Sequence, residues 1–564
     1  MDFKKMEYKR PDIEASQEVF QGLIEEFKSA DSLEKASEAL KKINSLRNEI
    51  DSMCALVTLR NTIDTTDKFY EEEQAYFDEK LPIYEGIVSK CYEAMNNSEY
   101  KEGLEKIFKP QVFNIANLAV KTFSPEIIDD MQAQNKLVTE YTKLIASAKI
   151  DFEGEERNLA GMGPFNQSKD RDMRRKATVA TANFFEENEA EFDRIYDGLV
   201  KSRTSMARKL GYDNFIQLGY DRLNRTDYNP EMVANFRKQV KESIVPLYAE
   251  LRKRQAKRLG IENMKSYDEN LQFLTGNATP KGDADWIIDQ AKKMYSELSP
   301  ETNEFFNFML DNNLMDLVSK KGKAGGGYCH FLGKYKTPFI FSNFNGTSGD
   351  VDVLTHEAGH AFQAYSSRAY DVPEYCFPTY EASEIHSMSM EFITWPWMNL
   401  FFGEDVDKYK FTHLSSAILF IPYGVAVDEF QHFVYGNPDA TPDERKAAWR
   451  RIEKEYLPFK DYDGIDIYEK GAFWFKQSHI FQTPFYYIDY TLAQICALQF
   501  WIKRNENKEK AWNDYIALCN EGGSESFLSL VKIAGLTSPF EDGCIAKVMQ
   551  EVKAWLDKVD DTKL

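Results

Sequence analysis

Asp352-Val-Leu-Thr-His356-Glu357-Ala-Gly359-His360-Ala-Phe-Gln363 is the stretch that decides the reading of this chain. It contains H-E-x-x-H. On a helix, positions four apart face nearly the same way, so His356 and His360 can grip one metal ion from a single helix. Glu357 sits beside them without being needed as a ligand, and can take a proton from water at the metal. Ser348, Gly349 and Asp350 offer capping groups at the start, and Val351, Val353 and Leu354 supply apolar positions. Gly359 inside a helix costs about 1 kcal/mol against Ala. That cost is repaid where a side chain or strand must approach closely.

A catalytic zinc needs a third protein ligand and one open position. A metzincin would place glycine at 363 and histidine at 366, but the chain has Gln363 and Ser366. The next cluster downstream is Glu381-Ala-Ser-Glu384-Ile-His386-Ser-Met-Ser-Met-Glu391. It has helical texture, with Glu384, Ser387, Met388 and Glu391 on one face. By spacing alone Glu381, Glu384 and Glu391 compete as third ligand. His386 is a further candidate as ligand or supporting donor, and Cys376 reads better as a small buried thiol. A third region, His479-Ile-Phe-Gln-Thr-Pro-Phe-Tyr486-Tyr487-Ile-Asp-Tyr490, offers neutral donors of the kind that stabilise a tetrahedral oxyanion. An aromatic core stripe explains the same residues.

Around this centre the chain is mainly helical. Ile13–Ser29, Ser32–Ser52, Tyr70–Met95 and Glu126–Ser147 carry apolar residues at three- and four-residue spacing. Leu81-Pro82 is expected to kink or split the third helix, and Lys109-Pro110 marks a break. Ala148–Phe152 and Arg157–Leu159, joined at Gly154, read as a strand pair. Helices resume over Arg171–Leu210, Pro230–Leu259 and Asp283–Leu298. After Ser319 the texture changes to a glycine-rich loop and two strand-like runs, Tyr328–Leu332 and Pro338–Phe344. Two units are therefore expected: a helical 1–320 with a hairpin near 148–159, and a catalytic 321–564 with the small sheet and the H-E-x-x-H helix. The loop is not a phosphate loop, because Lys323 is followed by Ala324.

The 564 residues carry 70 Lys and Arg against 91 Asp and Glu, a formal net charge of −21, and 43% are hydrophobic. That balance gives a globular chain and excludes a disordered, collagen-like or disulfide-stapled one. Such acidity argues against nucleic acid or an anionic membrane as partner. The seven scattered cysteines contain no C-x-x-C and read as reduced thiols. The N-terminus has no apolar signal-like run. No stretch reaches about 18 uninterrupted apolar residues; Ser415–Val427, broken by Pro422 and Gly424, reads as buried core. A cytoplasmic monomer is expected.

The run from Gly322 to Glu391 resembles the M3 family of zinc metallopeptidases, the thimet oligopeptidase and oligoendopeptidase F group. GKAGGGYCHFL, PFIFSNFNGT, DVLTHEAGHAFQ, YEASEIHSMSMEF and HIFQTPFYYIDYTLAQICALQFW are most similar to the oligoendopeptidase F branch, including Pz-peptidase-type bacterial enzymes. The likeness extends more loosely through IDFEGEERNLAGMGPF and KLGYDNFIQLGYDRL. It implies an elongated two-lobed zincin with a deep substrate channel. It implies one zinc per chain, held by His356, His360 and Glu384, with Glu391 orienting a ligand histidine and Glu357 as general base. His479, Tyr487 and Tyr490, with Tyr486 a near rival, correspond to the family's oxyanion and substrate donors. Where the animal branch has a third histidine, this chain has Gln363, which removes no ligand. The run containing Phe339 and Phe341 resembles an edge strand for an extended peptide, and the loop holding Gly325 and Gly326 resembles a mobile loop over the site. The implied activity is zinc-dependent cleavage of internal bonds in short peptides. The alternatives are a zinc carboxypeptidase of the M32 type, and a non-catalytic helical peptide-binding protein with a structural metal.

Overall fold

The computed structural model describes residues 2–564 and is built mainly of helices, with one hairpin and one three-stranded sheet. The first helices form where the apolar spacing placed them. Ile13–Lys28 buries Ile13, Phe20, Ile24 and Phe27 along one stripe, and the Asp12 carboxylate accepts from Ala15 N–H. Leu33–Ile63 runs farther than its reading, capped by Ser32. Lys68–Asn96 is a single helix that passes through Pro82. Proline removes one intrahelical donor, and the carbonyl this frees belongs to Asp78. It accepts instead from Asn135 Nδ2 at 3.2 Å, while Gln132 Nε2 donates to Glu79 O at 2.9 Å. The neighbouring helix Ile128–Ala146 thus replaces what Pro82 cannot supply. The break at Lys109-Pro110 is present, between Lys101–Phe108 and Gln111–Lys121. Two other expected helices are each divided in two, at Asn188 and at Ile244, the latter two residues before Pro246.

The hairpin pairs β1 (Ile150–Phe152) with β2 (Glu155–Arg157), turning on Glu153 and Gly154, both at positive φ. That two-residue turn matches the twist of its strands.

The sheet consists of β3 (Met315–Val318), β4 (Tyr328–Leu332) and β5 (Thr337–Phe344), in the order β3-β5-β4. β5 is parallel to β3 and antiparallel to β4, with Tyr328 opposite Phe341 and Leu332 opposite Thr337. This corrects the expectation that the Phe339–Phe344 run is an edge. It is the central strand, and Phe339 and Phe341 are buried, Phe339 against Phe3 and Phe341 stacked on Tyr328. Neither is open to a peptide. The strand with a free side next to the site is β4, whose first four residues are only half-buried.

The division expected at 320/321 passes between β3 and β4 of this one sheet, and the main core runs continuously from Phe3 to Leu556. The segment with a core of its own is N-terminal: residues from Ile13 to Ala116 pack together, joined by Val372 and Tyr375. The segment Asn399–Gly436, which includes the helix Val406–Gly436, is long and apolar enough to span a membrane by composition, but its apolar part is mostly buried inside the protein and the helix carries Asp428 and His413 into the core. It continues through Pro422. Gly424 allows its close crossing with the helix Tyr487–Glu506, since a Cβ there would lie 2.4 Å from Thr491 Cγ2.

Candidate active site

Two crossed helices carry the centre: Gly349–Ser367, with His356 and His360, and Tyr380–Ile393, with Glu384. They touch at Gly359. A Cβ on that residue would lie 2.6 Å from Ser387 Cα and 2.7 Å from His386 O, so only glycine permits the approach. The close neighbour anticipated there is therefore a helix backbone. The Asp350 carboxylate accepts from the N–H groups of Asn345 and Gly346, tying the preceding turn to the helix start, while Ser348 makes no side-chain cap.

His356, His360 and Glu384 bring their ligand atoms within 4.8 Å of one another. Glu384 Oε2 lies 3.1 Å from His356 Nε2 and 3.3 Å from His360 Nε2. Adjacent ligands of a tetrahedral zinc stand roughly 3.3 Å apart, given metal–ligand bonds of about 2.0–2.1 Å. The donors also need a cation. Glu391 Oε1 accepts from His356 Nδ1 at 2.7 Å, which turns Nε2 toward the Glu384 carboxylate, where a proton or a metal ion shared between them satisfies both. The residues therefore fit a zinc ion. Both Glu384 oxygens are fixed, Oε2 by Ser387 Oγ at 2.8 Å and Oε1 by Tyr486 Oη at 2.5 Å. Burial works against ionisation of Glu384, but the two imidazoles hold its carboxyl well below the usual range.

Glu391 also accepts from His413 Nε2 at 2.8 Å, and Trp395 Nε1 donates to His413 Nδ1 at 3.2 Å. This extends the support to a third helix. His413 is absent from the sequence reading; the one available signal was that the chain has only seven histidines. The competing ligand candidates point elsewhere. Glu381 is buried in a group with Arg225 and Asp489 and accepts from Thr379. His386 is fully buried, bonded through Nδ1 to Ala382 O, and faces Tyr515. Cys376 is a buried thiol against Tyr370 O, and Gln363 is a buried amide bonded to Ser367.

Glu357 is buried, with one carboxylate oxygen unpartnered and the other facing Gly327. Burial pushes its carboxyl above the ordinary range, opposed by the two imidazoles.

The second wall comes from residues 477–490. His479 Nε2 lies 3.1 Å from Tyr490 Oη, and Gln477 Nε2 is 2.8 Å from His479 Nδ1, with Gln477 Oε1 accepting from Tyr423 at 3.0 Å. Burial lowers the His479 pKa to about 4, so the ring is neutral at ordinary pH. Tyr490 is also within hydrogen-bonding reach of Tyr486, which stacks on Tyr380. Tyr487 lines the same cavity as His479 and Tyr490, but its hydroxyl makes no hydrogen bond among the described residues. The turn before Tyr486 holds Phe485 in the left-handed region, φ 67°, kept there by Gln431 on its N–H and Arg225 on its carbonyl.

The glycine loop is pinned at its base. Lys323 Nζ bonds Asp316 and Val318 O, and Asn343 Nδ2 donates to the carbonyls of Ala324 and Gly326, both at 2.8 Å. Gly325 and Gly326 remain exposed and line a cavity between the two halves of the chain.

An H-E-x-x-H helix whose histidines meet a carboxylate from a second helix, beside a cavity between helical halves, is the arrangement of a metallopeptidase site. Two family models match the sequence: Peptidase M3 N-terminal domain over residues 3–123, and Peptidase family M3 over residues 165–550. The chain belongs to peptidase family M3. Its separate N-terminal core coincides with the first of those matches. An oligoendopeptidase F homolog of Borreliella burgdorferi is 24% identical over 430 residues, which are 72% of this chain and 70% of that one. The solved structure of PZ peptidase A with inhibitor 2 is 59% identical, with a TM-score of 0.99 and 100% of both chains covered. The oligoendopeptidase-F from Enterococcus faecium is 16% identical, with a TM-score of 0.62 over 97% of this chain and 99% of that one, a likeness of fold alone. Within family M3 this is a metallopeptidase of the oligoendopeptidase F branch.

Proposed function

We propose that this enzyme is a zinc-dependent endopeptidase that cuts internal bonds of short peptides in the cytoplasm, with His356, His360 and Glu384 as the metal ligands. The convergence of those three donors, with Glu357 left over as an unpartnered buried carboxylate, carries the reading. Bound zinc would supply a Lewis acid for the scissile carbonyl and acidify water toward pKa ~7.

The chain's own residues do the rest. Glu357 accepts a proton from the attacking water and returns it to the leaving amine. Its raised pKa suits a group that must both take and give that proton. His479 and Tyr490 offer neutral donors for the developing oxyanion. Tyr486 is engaged with Glu384, which supports a role in holding the ligand and binding substrate. Glu391 fixes the His356 tautomer. A peptide can add to the open side of β4, where main-chain bonds give affinity that tolerates many side chains.

The M32-type reading keeps the metal but removes residues stepwise from the C-terminus. A structural metal would leave no use for Glu357. Glu357→Gln should keep its zinc and lose about a thousandfold in turnover. Metal analysis and hydrolysis of an internally quenched peptide test this together, with mass spectrometry of the products. Near-wild-type turnover by the variant would remove Glu357 from its role, and stepwise C-terminal loss would replace the endopeptidase by the rival.

A further inference from the structure

Beyond the glycine loop, the cavity between the two halves of the chain carries two lysines, Lys460 and Lys476, against one carboxylate, Glu269, in a protein of net charge −21. The cavity holds about 580 Å³, lined by Tyr141, Asn166 and Phe185 on one side and Gly325, Lys460 and Lys476 on the other. Three cations gather around one acid. Glu269 accepts from Lys460 Nζ at 2.8 Å and from Arg252 Nη2 at 3.1 Å. Lys476 makes no hydrogen bond or ion pair among the described residues. Its ammonium rests over the Phe473 ring, 3.7 Å from the centroid, and Lys460 lies 4.7 Å from the same centroid. The other carboxylate whose field reaches Lys476, that of Glu453, is engaged by Arg450 and Tyr462.

Lys476 is exposed to the water of the cavity. The protein flanking it, then repulsion from Lys460, move its pKa below the ordinary lysine value. An ammonium so placed gains most from an anion that arrives with the ligand.

The position relative to the chemistry follows from chain continuity. Gly326 lines the cavity, and the next residue, Gly327, packs on Glu357: a Cβ there would lie 3.4 Å from Oε1. Ser478 lines the cavity, and the next residue is His479. β4 begins at Tyr328, immediately after the glycine loop. A peptide paired antiparallel to β4 therefore has its carboxyl end toward the cavity.

We propose that Lys476, supported by Lys460, binds the carboxylate at the C-terminal end of the peptide substrate and thereby sets its direction in the channel. This rests on the peptidase reading above. The carboxylate can be that of the chain terminus or of an acidic side chain near it.

The test uses the zinc-loaded enzyme and one peptide sequence without internal acids, in three forms: free acid, C-terminal amide, and amide with Glu as the last residue. In the wild type the free acid should show a KM about tenfold below that of the amide, the scale of one charge-assisted contact in a screened site. Lys476→Met should bring that ratio close to one, and Lys476→Arg should keep most of it. A Glu-terminated amide that behaves like the free acid assigns the site to either carboxylate; one that behaves like the amide assigns it to the chain terminus. Equal KM for acid and amide in the wild type, or an undiminished preference in Lys476→Met, overturns the proposal. Calorimetric binding of the acid and amide forms to Glu357→Gln, with and without Lys476→Met, reads the same preference without turnover. Absence of hydrolysis with a preserved binding preference would sink the peptidase reading and leave the anchor standing.

Discussion

The two walls of the catalytic cleft are built by opposite means. The wall with His356, His360 and Glu384 is charged and regular: two helices crossing at a glycine bring three donor atoms together, and a shared carboxylate links His356 to His413 on a third helix. The wall with His479 and Tyr490, proposed above to meet the oxyanion, is neutral. Its donors sit on two helical segments, His479 on Ser478–Gln482 and Tyr490 at the start of Tyr487–Glu506, joined by a turn with one left-handed phenylalanine that Gln431 holds, and His479 is oriented by Gln477, itself bonded to Tyr423. A helix can hold charges in a fixed array because its spacing is rigid. On the second wall the left-handed turn at Phe485 sets the angle between the two segments, so that His479 and Tyr490 meet at 3.1 Å.

That contrast is open to measurement. On the neutral wall, Tyr490→Phe or His479→Ala should lower kcat about 100- to 1,000-fold while zinc content stays whole, because only transition-state donors are lost. A parallel loss of metal would show that the walls are not separable. On the charged wall, Glu391→Gln should weaken zinc binding about 10- to 100-fold, read by competition with a chelator, with kcat recovering at saturating zinc. Gly359→Ala should cost about 1–3 kcal/mol of stability through the clash with Ser387, seen as a lower Tm. A neutral outcome would mean the helices can part without penalty.

The smallest effect concerns the buried group behind the neutral wall. Arg225 pairs with Asp489 at 2.7 Å, so one guanidinium serves two carboxylates. Burial, then the Asp489 charge, push the Glu381 pKa from 4.5 up to about 8. The folded protein holds a proton that the unfolded chain releases near its ordinary value. The stabilisation is thus complete below about 4.5 and lost as pH rises through about 8. The free energy of unfolding, measured between pH 6 and 8.5, should fall more steeply with rising pH for the wild type than for Glu381→Gln.

Legibility in the sequence divides along the same line. The histidine pair and Glu357 were readable because a four-residue repeat on a helix is local geometry. Glu381, Glu384 and Glu391 could not be ranked by spacing, because the face that meets the metal is set where Ser387 touches Gly359, a tertiary contact. The likeness to family M3 singled out Glu384, and the structure brings it to the imidazoles. His413, Gln477 and Tyr423 belong to no motif and act across elements far apart in the chain. The β5 run was misread as an edge although its apolar residues fill both faces, the mark of a strand covered on each side. The change of texture near residue 320 reports local composition, whereas the separate core near the N-terminus depends on which helices pack together.

The crossing at Gly359 has one more consequence. Backbone atoms, not adjustable side chains, fix the spacing between the two ligand-bearing segments, so the cradle exists before any ion enters it. Stripping the enzyme with a chelator should leave its circular dichroism intact, and returning the ion should restore activity at mixing speed, with no slow refolding phase.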